Sequence, residues 1–600
     1  MILLAGCFSD IIRKDELHTY LNNNTDSTQV VKAEVKYIID KQGKIELRKH
    51  LIIKVGMNPY GALDLLQVVD GSTEKLASYS LRVLFADGKV RKFNAGDLIR
   101  ESLSSSSEIN QQELLTPSLR LNEASGSVID LEVSYQLYLS ELGFIYSPWE
   151  FGENARNLDL FIQYPADTTV AYELVNDKQK PEISQKGGIT TVHYNWVGLH
   201  PKKEKHDPME QRGSGAAVYV SAHFPFQVPD STTNNLSPWI DYGNWYLSLI
   251  QNRLRPERSI DSLAKRITEG STSDLEKMEL IYDYCRKNIR YEQVYEEFGG
   301  FIPNLAGDIY THKYGDCKDY SMLMHMLARR VGVKSNLVLC YRGRGRAFYP
   351  NIPVNQFNHM ILLFQNEGKD YWLDGTNRIG SFGVFTDDLS NQMVLVISQN
   401  ASYISKMINK TQNLLEITCE LDPDGTSLSG DVTVNFRGQY ALDINYLDWY
   451  LNRVDMEESL QNFCHNLISQ DYTIETLAWA GQRDQFKVEM RGYFPNTLVH
   501  FKKNSYFSPA LLFRALYEDF SQTTAANHLF YNPGYDQVML DVSLPSLSVS
   551  GSVDNEAFHW SNRYNLPLGP YQESWQQNQI RDQLDSLATE LSVRYKLKEL

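Results

Sequence analysis

A cysteine, a histidine and an aspartate occur in an order that could bring them together for thiol chemistry. Cys317 comes directly after Tyr314-Gly315-Asp316, His359 begins an apolar run further along the chain, and Asp374 follows a second such run. A thiolate can attack a carbonyl carbon, an imidazole can carry the proton, and a carboxylate can fix the imidazole tautomer. These residue types predict nucleophilic acyl transfer if the fold places them side by side.

The residues around Cys317 predict that a helix begins at this cysteine. Asp316 is a good N-cap, Asp319 lies three residues later, and apolar residues at helical spacing continue to about Arg330. The free N–H groups of a first helical turn favour a thiolate and can hold the oxyanion of a tetrahedral intermediate. Cys317 is therefore the candidate nucleophile.

Apolar runs after this helix predict strands at 336–341, 359–364 and 371–373. If the second and third of these strands are neighbours, His359 and Asp374 lie side by side. The carboxylate can then orient the imidazole that takes the proton of the thiol. Helices followed by a run of strands indicate an α+β domain, which we assign to 256–395.

Alternating apolar and polar residues dominate the segments on either side of this domain, for example 31–37, 129–139 and 415–421. A period of two is typical of antiparallel strands with one face in water. We therefore expect an N-terminal antiparallel β-sandwich domain with a helical linker at 28–255. A C-terminal β-sandwich-like domain with a terminal helix is expected at 396–600. The whole chain is predicted to be multidomain and β-rich, with the α+β domain in its centre.

The first residues of the chain predict a lipid anchor. Leu4-Ala5-Gly6-Cys7 resembles the lipobox of bacterial lipoproteins, in which the cysteine is lipidated and becomes the mature N-terminus. Residues 1–27 are accordingly interpreted as a lipoprotein-type N-terminus and tether, which places the protein at the bacterial cell envelope, facing the periplasm or the surface. No basic residue precedes Cys7, so a secretory signal requires a start further upstream. The alternative is an ordinary buried N-terminal strand.

Charge and composition argue against several classes of partner. The formal net charge is −16 at pH 7, from 58 Lys and Arg against 74 Asp and Glu, so nucleic acid is not expected as a partner. No apolar run reaches the roughly 18 residues of a spanning helix, and membrane contact is expected only through Cys7. None of the six cysteines forms a C-x-x-C pair, and we predict neither a metal nor a cofactor.

The chain resembles the transglutaminase-like superfamily, in particular bacterial envelope proteins that carry an N-terminal DUF3857-type domain. The resemblance covers about residues 275–378 and is carried by Ile281-Tyr282-Asp283-Tyr284-Cys285-Arg286-Lys287-Asn288-Ile289-Arg290-Tyr291, Gly315-Asp316-Cys317-Lys318-Asp319, Phe357-Asn358-His359 and Leu373-Asp374-Gly375-Thr376. It implies a papain-like core with a catalytic triad of Cys317, His359 and Asp374. Because the superfamily includes cross-linking enzymes, proteases, amidases and inactive members, the resemblance leaves the substrate open.

We thus expect a cell-envelope thiol acyl-transfer enzyme that acts on the amide bonds of a peptide or protein, with hydrolysis favoured over amine transfer. One alternative is a non-catalytic envelope scaffold that binds a partner through its β-sandwich domains. A second alternative is metal hydrolysis through His359 and Asp374, for which no third ligand stands at a characteristic spacing. The sequence leaves the oligomeric state open.

Other residues near the nucleophile are candidates for further roles. Tyr291 and Asn304 are candidates for a second oxyanion donor. A loop with Arg342, Arg344 and Arg346 either holds a substrate carboxylate or, as the simpler interpretation, is a solvated loop. The remaining cysteines of the folded domains lie on apolar faces and are expected to be buried free thiols: Cys285, Cys340, Cys419 and Cys464.

Overall fold

The structure is a computed structural model that describes Leu17, Tyr20, Leu21 and the chain from residue 26 to residue 599. Excepted from this range are residues 72–73, 103–107, 111, 139–142, 149–154, 176, 199–215, 223–236, 296–299, 344–347, 351, 379, 390–391, 408–412, 483, 503, 515–536, 550–555, 566–588 and 590. The predicted lipid-anchor residue Cys7 and the loop residues Arg344 and Arg346 thus lie outside the described residues. Within the described part of the chain, no helix is long and apolar enough to cross a bilayer.

The N-terminal part is built from strands, with a one-turn helix α1 (Leu63–Leu66). The strands are β1 (Gln29–Ile39), β2 (Ile45–Lys54), β3 (Val68–Asp70), β4 (Glu74–Leu84), β5 (Val90–Asn94), β6 (Leu98–Ser102), β7 (Glu108–Asn110), β8 (Glu113–Pro117), β9 (Val128–Leu137), β10 (Phe144–Tyr146), β11 (Asn157–Pro165), β12 (Ala171–Val175), β13 (Glu182–Lys186), β14 (Ile189–Val197) and β15 (Ala217–Ser221). The large sheet has the order β13-β14-β11-β1-β2-β9-β4-β5, and smaller sheets have the orders β10-β15-β12 and β3-β8-β6.

The large sheet and a small sheet pack face to face, which confirms the predicted layered β architecture. Val35 of β1 and Leu160 of β11 share one buried cluster with Val218 and Val220 of β15. The predicted antiparallel pairing has an exception in this sheet, because β1 and β11 run parallel; residues 414–420 and 537–543 of the C-terminal part also pair in parallel. A long connection separates β1 from β11 in the chain, so no tight turn forces them to run antiparallel.

The segment before β1 also packs against the large sheet. Leu17 is 5% exposed and lies in a small apolar cluster with Ile52, Leu84 and Val128. The interpretation of all residues before 28 as a free tether is therefore wrong at this point. Burying an aliphatic side chain against an apolar patch of the sheet lowers the free energy, and this stabilisation holds the segment in place.

The central part places helices against an antiparallel sheet. The helices are α2 (Ser237–Ile250), α3 (Arg258–Ile267), α4 (Asp274–Asn288), α5 (Ala306–His312) and α6 (Cys317–Arg330). The strands are β16 (Arg290–Tyr291), β17 (Gln293–Tyr295), β18 (Tyr314–Gly315), β19 (Ser335–Cys340), β20 (His359–Asn366), β21 (Lys369–Leu373), β22 (Gln392–Ile397) and β23 (Tyr403–Met407), and the sheet order is β21-β20-β19-β22-β23. The predicted helix at Cys317 and the strands that follow it are confirmed.

Helix α6 forms the centre of this domain. Met322, Leu323 and Leu327 are buried in a cluster that also contains Leu362 and Phe364 of β20. Because α6 is enclosed by the sheet and by the neighbouring helices, its N-terminus is held at a fixed position relative to the start of β20.

The N-terminal and central parts contact each other at two places close to the site. Strand β7 pairs in parallel with β17, which comes directly after β16 in the chain, and β16 pairs with β18, the strand that runs up to Cys317. A buried apolar cluster joins Val175 and Tyr219 of the N-terminal part to Ile352 and Val354, which precede His359 in the chain. The N-terminal part thus pairs with β17 and packs against the segment that leads to the candidate base.

The C-terminal part contains two sheets and a helix pair within the described residues. The helices are α7 (Gln439–Tyr450) and α8 (Arg453–Leu467), and the strands are β24 (Leu414–Asp424), β25 (Ser427–Arg437), β26 (Thr473–Gln482), β27 (Gln485–Phe494), β28 (Val499–Phe501), β29 (Asn504–Phe507), β30 (Gln537–Leu544), β31 (Leu547–Val549), β32 (Phe558–Asn565) and β33 (Tyr595–Glu599). The sheets have the orders β26-β27-β25-β24-β30-β32 and β28-β29-β33-β31. Most of the predicted terminal helix, at residues 580–591, lies outside the described residues.

Candidate active site

Cys317 is the first residue of α6, and the chain around it forms the predicted capping box. The side chain of Asp316 accepts a hydrogen bond from the N–H of Lys318 at 3.2 Å, and the Asp319 carboxylate accepts one from the N–H of Asp316 at 3.2 Å. These bonds fix the first turn and use only some of its free N–H groups. Cys317 is partly exposed as a residue, and it stands at the positive end of a helix.

His359 and Asp374 meet because β20 and β21 form an antiparallel hairpin. The register pairs Leu362 with Leu373, so the start of β20 and the residue after β21 lie at the same end of the sheet. Nε2 of His359 is 3.2 Å from Oδ2 of Asp374, and both side chains are almost completely buried. This bond occupies Nε2 and leaves Nδ1 as the nitrogen that can serve the thiol.

The electrostatics of the pair favour an imidazolium beside a carboxylate. Burial alone would lower the pKa of His359, but the negative charges of Asp374 and Cys317 and their hydrogen bonds to the ring raise it to about 9. Burial acts to raise the pKa of Asp374, yet His359 and Arg342 hold that pKa well below its usual range. Cys317 is among the groups that raise the pKa of His359, so the imidazole responds to the thiol as well as to Asp374.

Arg342 has a different place from the one expected. Its guanidinium contacts Asp374 at 3.3 Å and Asp388 at 3.0 Å, and it donates to the hydroxyl of Thr376 at 3.2 Å. For Arg342, the structure thus shows ion pairs with carboxylates of the protein itself, which neither the interpretation as a solvated loop nor that as a substrate carboxylate site included. Two carboxylates of the protein itself, Asp374 and Asp388, bind this guanidinium. They lie far from Arg342 in the chain, so the sequence did not identify them as its partners.

Asn304 and Tyr291, the candidate second oxyanion donors, differ in their surroundings. The backbone N–H of Asn304 donates to Asp319 at 2.7 Å and its amide contacts the same carboxylate, so its side chain supports the capping box. Tyr291 has 39% of its surface exposed. Burial of its hydroxyl group and the nearby charges of Cys317 and Asp316 raise its pKa. Of the two, Tyr291 is the residue whose pKa is raised by the charge of Cys317.

A buried charge cluster lies directly behind the nucleophile. The ammonium of Lys318 pairs with Asp316, and both side chains are buried. Asp319 is fully buried as well, and its burial together with the charge of Asp316 raises its pKa above the usual range. The sequence revealed these residues as helix caps but did not show that they are sealed from water.

The other described cysteines are free thiols inside the protein, as predicted. Cys285, Cys340 and Cys419 are completely buried, and burial raises the pKa of each thiol. Burial likewise raises the pKa of Cys464 to about 12. Cys317 is thus the described cysteine that is partly exposed and has a histidine partner.

Among the described residues, the side chains that could share a metal ion are His50, Asp130 and Glu132, on neighbouring strands of the N-terminal sheet. His50 bonds Asp130 at 2.8 Å, and the guanidinium of Arg82 contacts the same carboxylate. A cation added there would meet the positive charge of Arg82, so the arrangement fits a salt-bridge network better than a metal site.

The fold and the site together define a class: an α+β domain in a β-rich chain, with a cysteine at a helix N-terminus and a histidine–carboxylate pair on adjacent strands. Residues 261–372 match the transglutaminase-like superfamily. The chain therefore carries a domain of this superfamily in its centre.

One solved structure shares the fold over most of the chain. The crystal structure of "a putative protease" from Parabacteroides distasonis superposes with a TM-score of 0.56 at 11% sequence identity, covering 96% of this chain and 100% of that one. "A putative cysteine protease" from Cytophaga hutchinsonii covers 61% of this chain and 86% of its own, at 12% identity and a TM-score of 0.18. No curated protein matches the sequence. At this level of identity, the first structure shows a shared architecture only.

Proposed function

We propose that the protein is a thiol acyl-transfer enzyme that hydrolyses amide bonds of peptides or proteins. The observation that carries this proposal is the buried 3.2 Å contact between His359 and Asp374, set beside a partly exposed Cys317 at a helix N-terminus. The three groups are the parts that thiol catalysis needs: a nucleophile, a proton carrier and a group that orients the carrier.

The proposed reaction uses these groups in two stages. The thiolate of Cys317 attacks the carbonyl carbon, and N–H groups of the first turn of α6 stabilise the oxyanion. The imidazolium of His359 then gives its proton to the leaving amine, the C–N bond breaks, and a thioester remains on Cys317. In the second stage neutral His359 takes a proton from water and the water oxygen attacks the thioester. The C–S bond then breaks, the acid is released, and the thiolate of Cys317 is restored beside the imidazolium of His359.

Water is the acceptor that the site favours. Transfer to an amine requires that water be kept from the thioester while the amine enters. Cys317 is partly exposed, which gives water a route to the thioester. Transfer to an amine, which would cross-link proteins, is therefore the less favoured reaction. The partial exposure of Cys317 also gives no support to a purely structural, non-catalytic role for this domain.

The location at the cell envelope is part of the same proposal. It rests on Leu4-Ala5-Gly6-Cys7, with Cys7 as the lipidated residue and a peptide or protein substrate outside the cytoplasm. Metabolic labelling with an alkyne fatty acid, comparing the full chain with Cys7→Ser, tests it. Label on both proteins or on neither contradicts the anchor.

The activity is tested on the purified protein with a peptide acyl electrophile that reacts with catalytic thiols, followed by peptide mass spectrometry. We expect Cys317 to be modified and Cys285 to remain free, since Cys285 is a fully buried internal control. A peptide library would then identify hydrolysed bonds, with Cys317→Ala as the inactive reference. Equal, slow modification of Cys317 in the native protein and in His359→Ala would overturn the proposal.

A further inference from the structure

We propose that Arg342 is a positioning residue of this site: its guanidinium shares a carboxylate oxygen of Asp374 with His359 and so limits the negative charge that the imidazole receives. The inference rests on the proposed function because it gives His359 the role of proton carrier. It assigns to Arg342 a role that differs from substrate binding, and it predicts a change in proton affinity that can be measured without any substrate.

The shared oxygen is the first observation. Oδ2 of Asp374 lies 3.2 Å from Nε2 of His359 and 3.3 Å from a terminal nitrogen of Arg342. The other oxygen, Oδ1, accepts the backbone N–H of Thr376 at 3.0 Å and its hydroxyl at 2.6 Å. Imidazole and guanidinium thus compete for one atom of a carboxylate whose second atom is already occupied.

The second observation is that Arg342 is held in place independently of Asp374. Its Nε donates to Asp388 at 3.0 Å, and a terminal nitrogen donates to the hydroxyl of Thr376 at 3.2 Å. Its backbone N–H donates to the side-chain oxygen of Asn358, and its backbone carbonyl accepts a hydrogen bond from the side-chain nitrogen of the same residue, which directly precedes His359. The planar guanidinium is therefore fixed in orientation, as bidentate recognition of carboxylates requires.

The charges around these groups determine the direction of the effect. His359 faces Asp374 and Cys317, whereas the guanidinium faces Asp374 and Asp388 together with two neighbouring groups, the thiol of Cys340 and the hydroxyl of Tyr291. Burial raises the pKa of Cys340 and of Tyr291, so both stay neutral well above pH 7. The positive charge of Arg342 therefore offsets part of the charge of Asp374, and its removal should make the imidazolium more stable.

The test is a pH titration of His359 by NMR in the full-length protein labelled with [13C]histidine, with the resonance assigned by its loss in His359→Ala. In Arg342→Gln the titration midpoint should rise above that of the native protein by about one pH unit. Arg342→Lys keeps the charge and should stay close to the native midpoint. Arg329→Gln is the matched control, because Arg329 is exposed near the opposite end of α6.

A second variant keeps the test independent of the folding of Arg342→Gln. Asp388→Asn removes the competing carboxylate, so the guanidinium should act more strongly on Asp374 and lower the midpoint of His359. An unchanged or lowered midpoint in Arg342→Gln would overturn the inference, as would an unchanged or raised midpoint in Asp388→Asn. If the two variants show these shifts but the native protein hydrolyses no amide, the proposed function is overturned and the coupling of Arg342 to His359 stands.

Discussion

Nε2 of His359 and Oδ2 of Asp374 lie 3.2 Å apart at one end of the β20–β21 hairpin. Because Asp374 occupies Nε2, the ring presents Nδ1 to Cys317, and the carboxylate stabilises the protonated ring. The register of β20 and β21 therefore places the carboxylate that keeps His359 protonated, and amide cleavage needs this proton.

The first prediction concerns the role of His359 in catalysis. His359→Ala should lower kcat/KM for peptide hydrolysis by about 10²–10⁴-fold, since the leaving amine loses its proton donor. In the native protein kcat/KM should fall as the pH rises above about 9, where His359 becomes neutral. Steady-state assays from pH 5 to 10 measure both effects. The control is His312→Ala, an exposed histidine close to Cys317 in the chain, which should retain native activity.

The second prediction concerns stability against pH in Asp374→Asn. The pKa of His359 is raised in the folded protein to about 9 from an ordinary 6.5, so the ion pair stabilises the fold fully below about pH 6.5 and loses its effect as the pH rises through 9. Urea unfolding should show the native protein more stable than the variant at pH 6.5. This difference should shrink as the pH rises to 10, by about 1.4 kcal/mol for each pH unit by which Asp374 raises the pKa of His359. A difference independent of pH would show that the two side chains are not an ion pair.

The third prediction concerns the capping box behind the nucleophile. Asp319→Ala removes the acceptor for the N–H groups of Asp316 and Asn304 and should cost about 1–3 kcal/mol of unfolding free energy. It should also slow the alkylation of Cys317 by iodoacetamide, because the first turn of α6 loosens. Glu276→Ala is the matched control: Glu276 accepts the N–H groups of Thr272 and Ser273 in the exposed box of α4. That variant should lose some stability while Cys317 reacts at its native rate.

The fourth prediction concerns Gly315. A Cβ at this position would lie 2.6 Å from Cβ and 2.8 Å from Oδ2 of Asp319, which is too close for either atom. Gly315→Ala should therefore destabilise the protein by about 1–3 kcal/mol and slow the alkylation of Cys317. If the clash is the cause, the double variant Gly315→Ala with Asp319→Gly should be no less stable than Asp319→Gly alone, because glycine removes both atoms of residue 319 that the new Cβ would meet. Simple addition of the two losses would refute this explanation.

Local patterns in the sequence predicted the parts of the site that depend on neighbouring residues. Asp316 and Asp319 mark the start of α6 because a capping box satisfies N–H groups within one turn of the chain. His359 and Asp374 border short apolar runs whose length favours strands, and a short turn between these runs allows them to pair. The helix and the strands around the site could therefore be predicted nearly to the residue.

Features set by contacts between distant segments escaped this reasoning. The parallel pairing of β1 with β11 and the packing of Leu17 on the outer face of the sheet depend on the order of strands in space. Helix α7 was missed because its aromatic residues fit strands as well as helices. The place of Arg342 is of the same kind, since a long flexible side chain can reach several carboxylates.

By itself, the sequence determined which residues could act as nucleophile, proton carrier and orienting carboxylate, because caps and apolar periods are encoded within a few positions. Only the tertiary structure decided that Arg342 binds Asp374 and that Asn304 supports Asp319. It alone showed that the N-terminal domain pairs with β17 and packs against the segment leading to His359. Such choices depend on distances between groups far apart in the chain, and burial then fixes each charge to the nearest opposite charge.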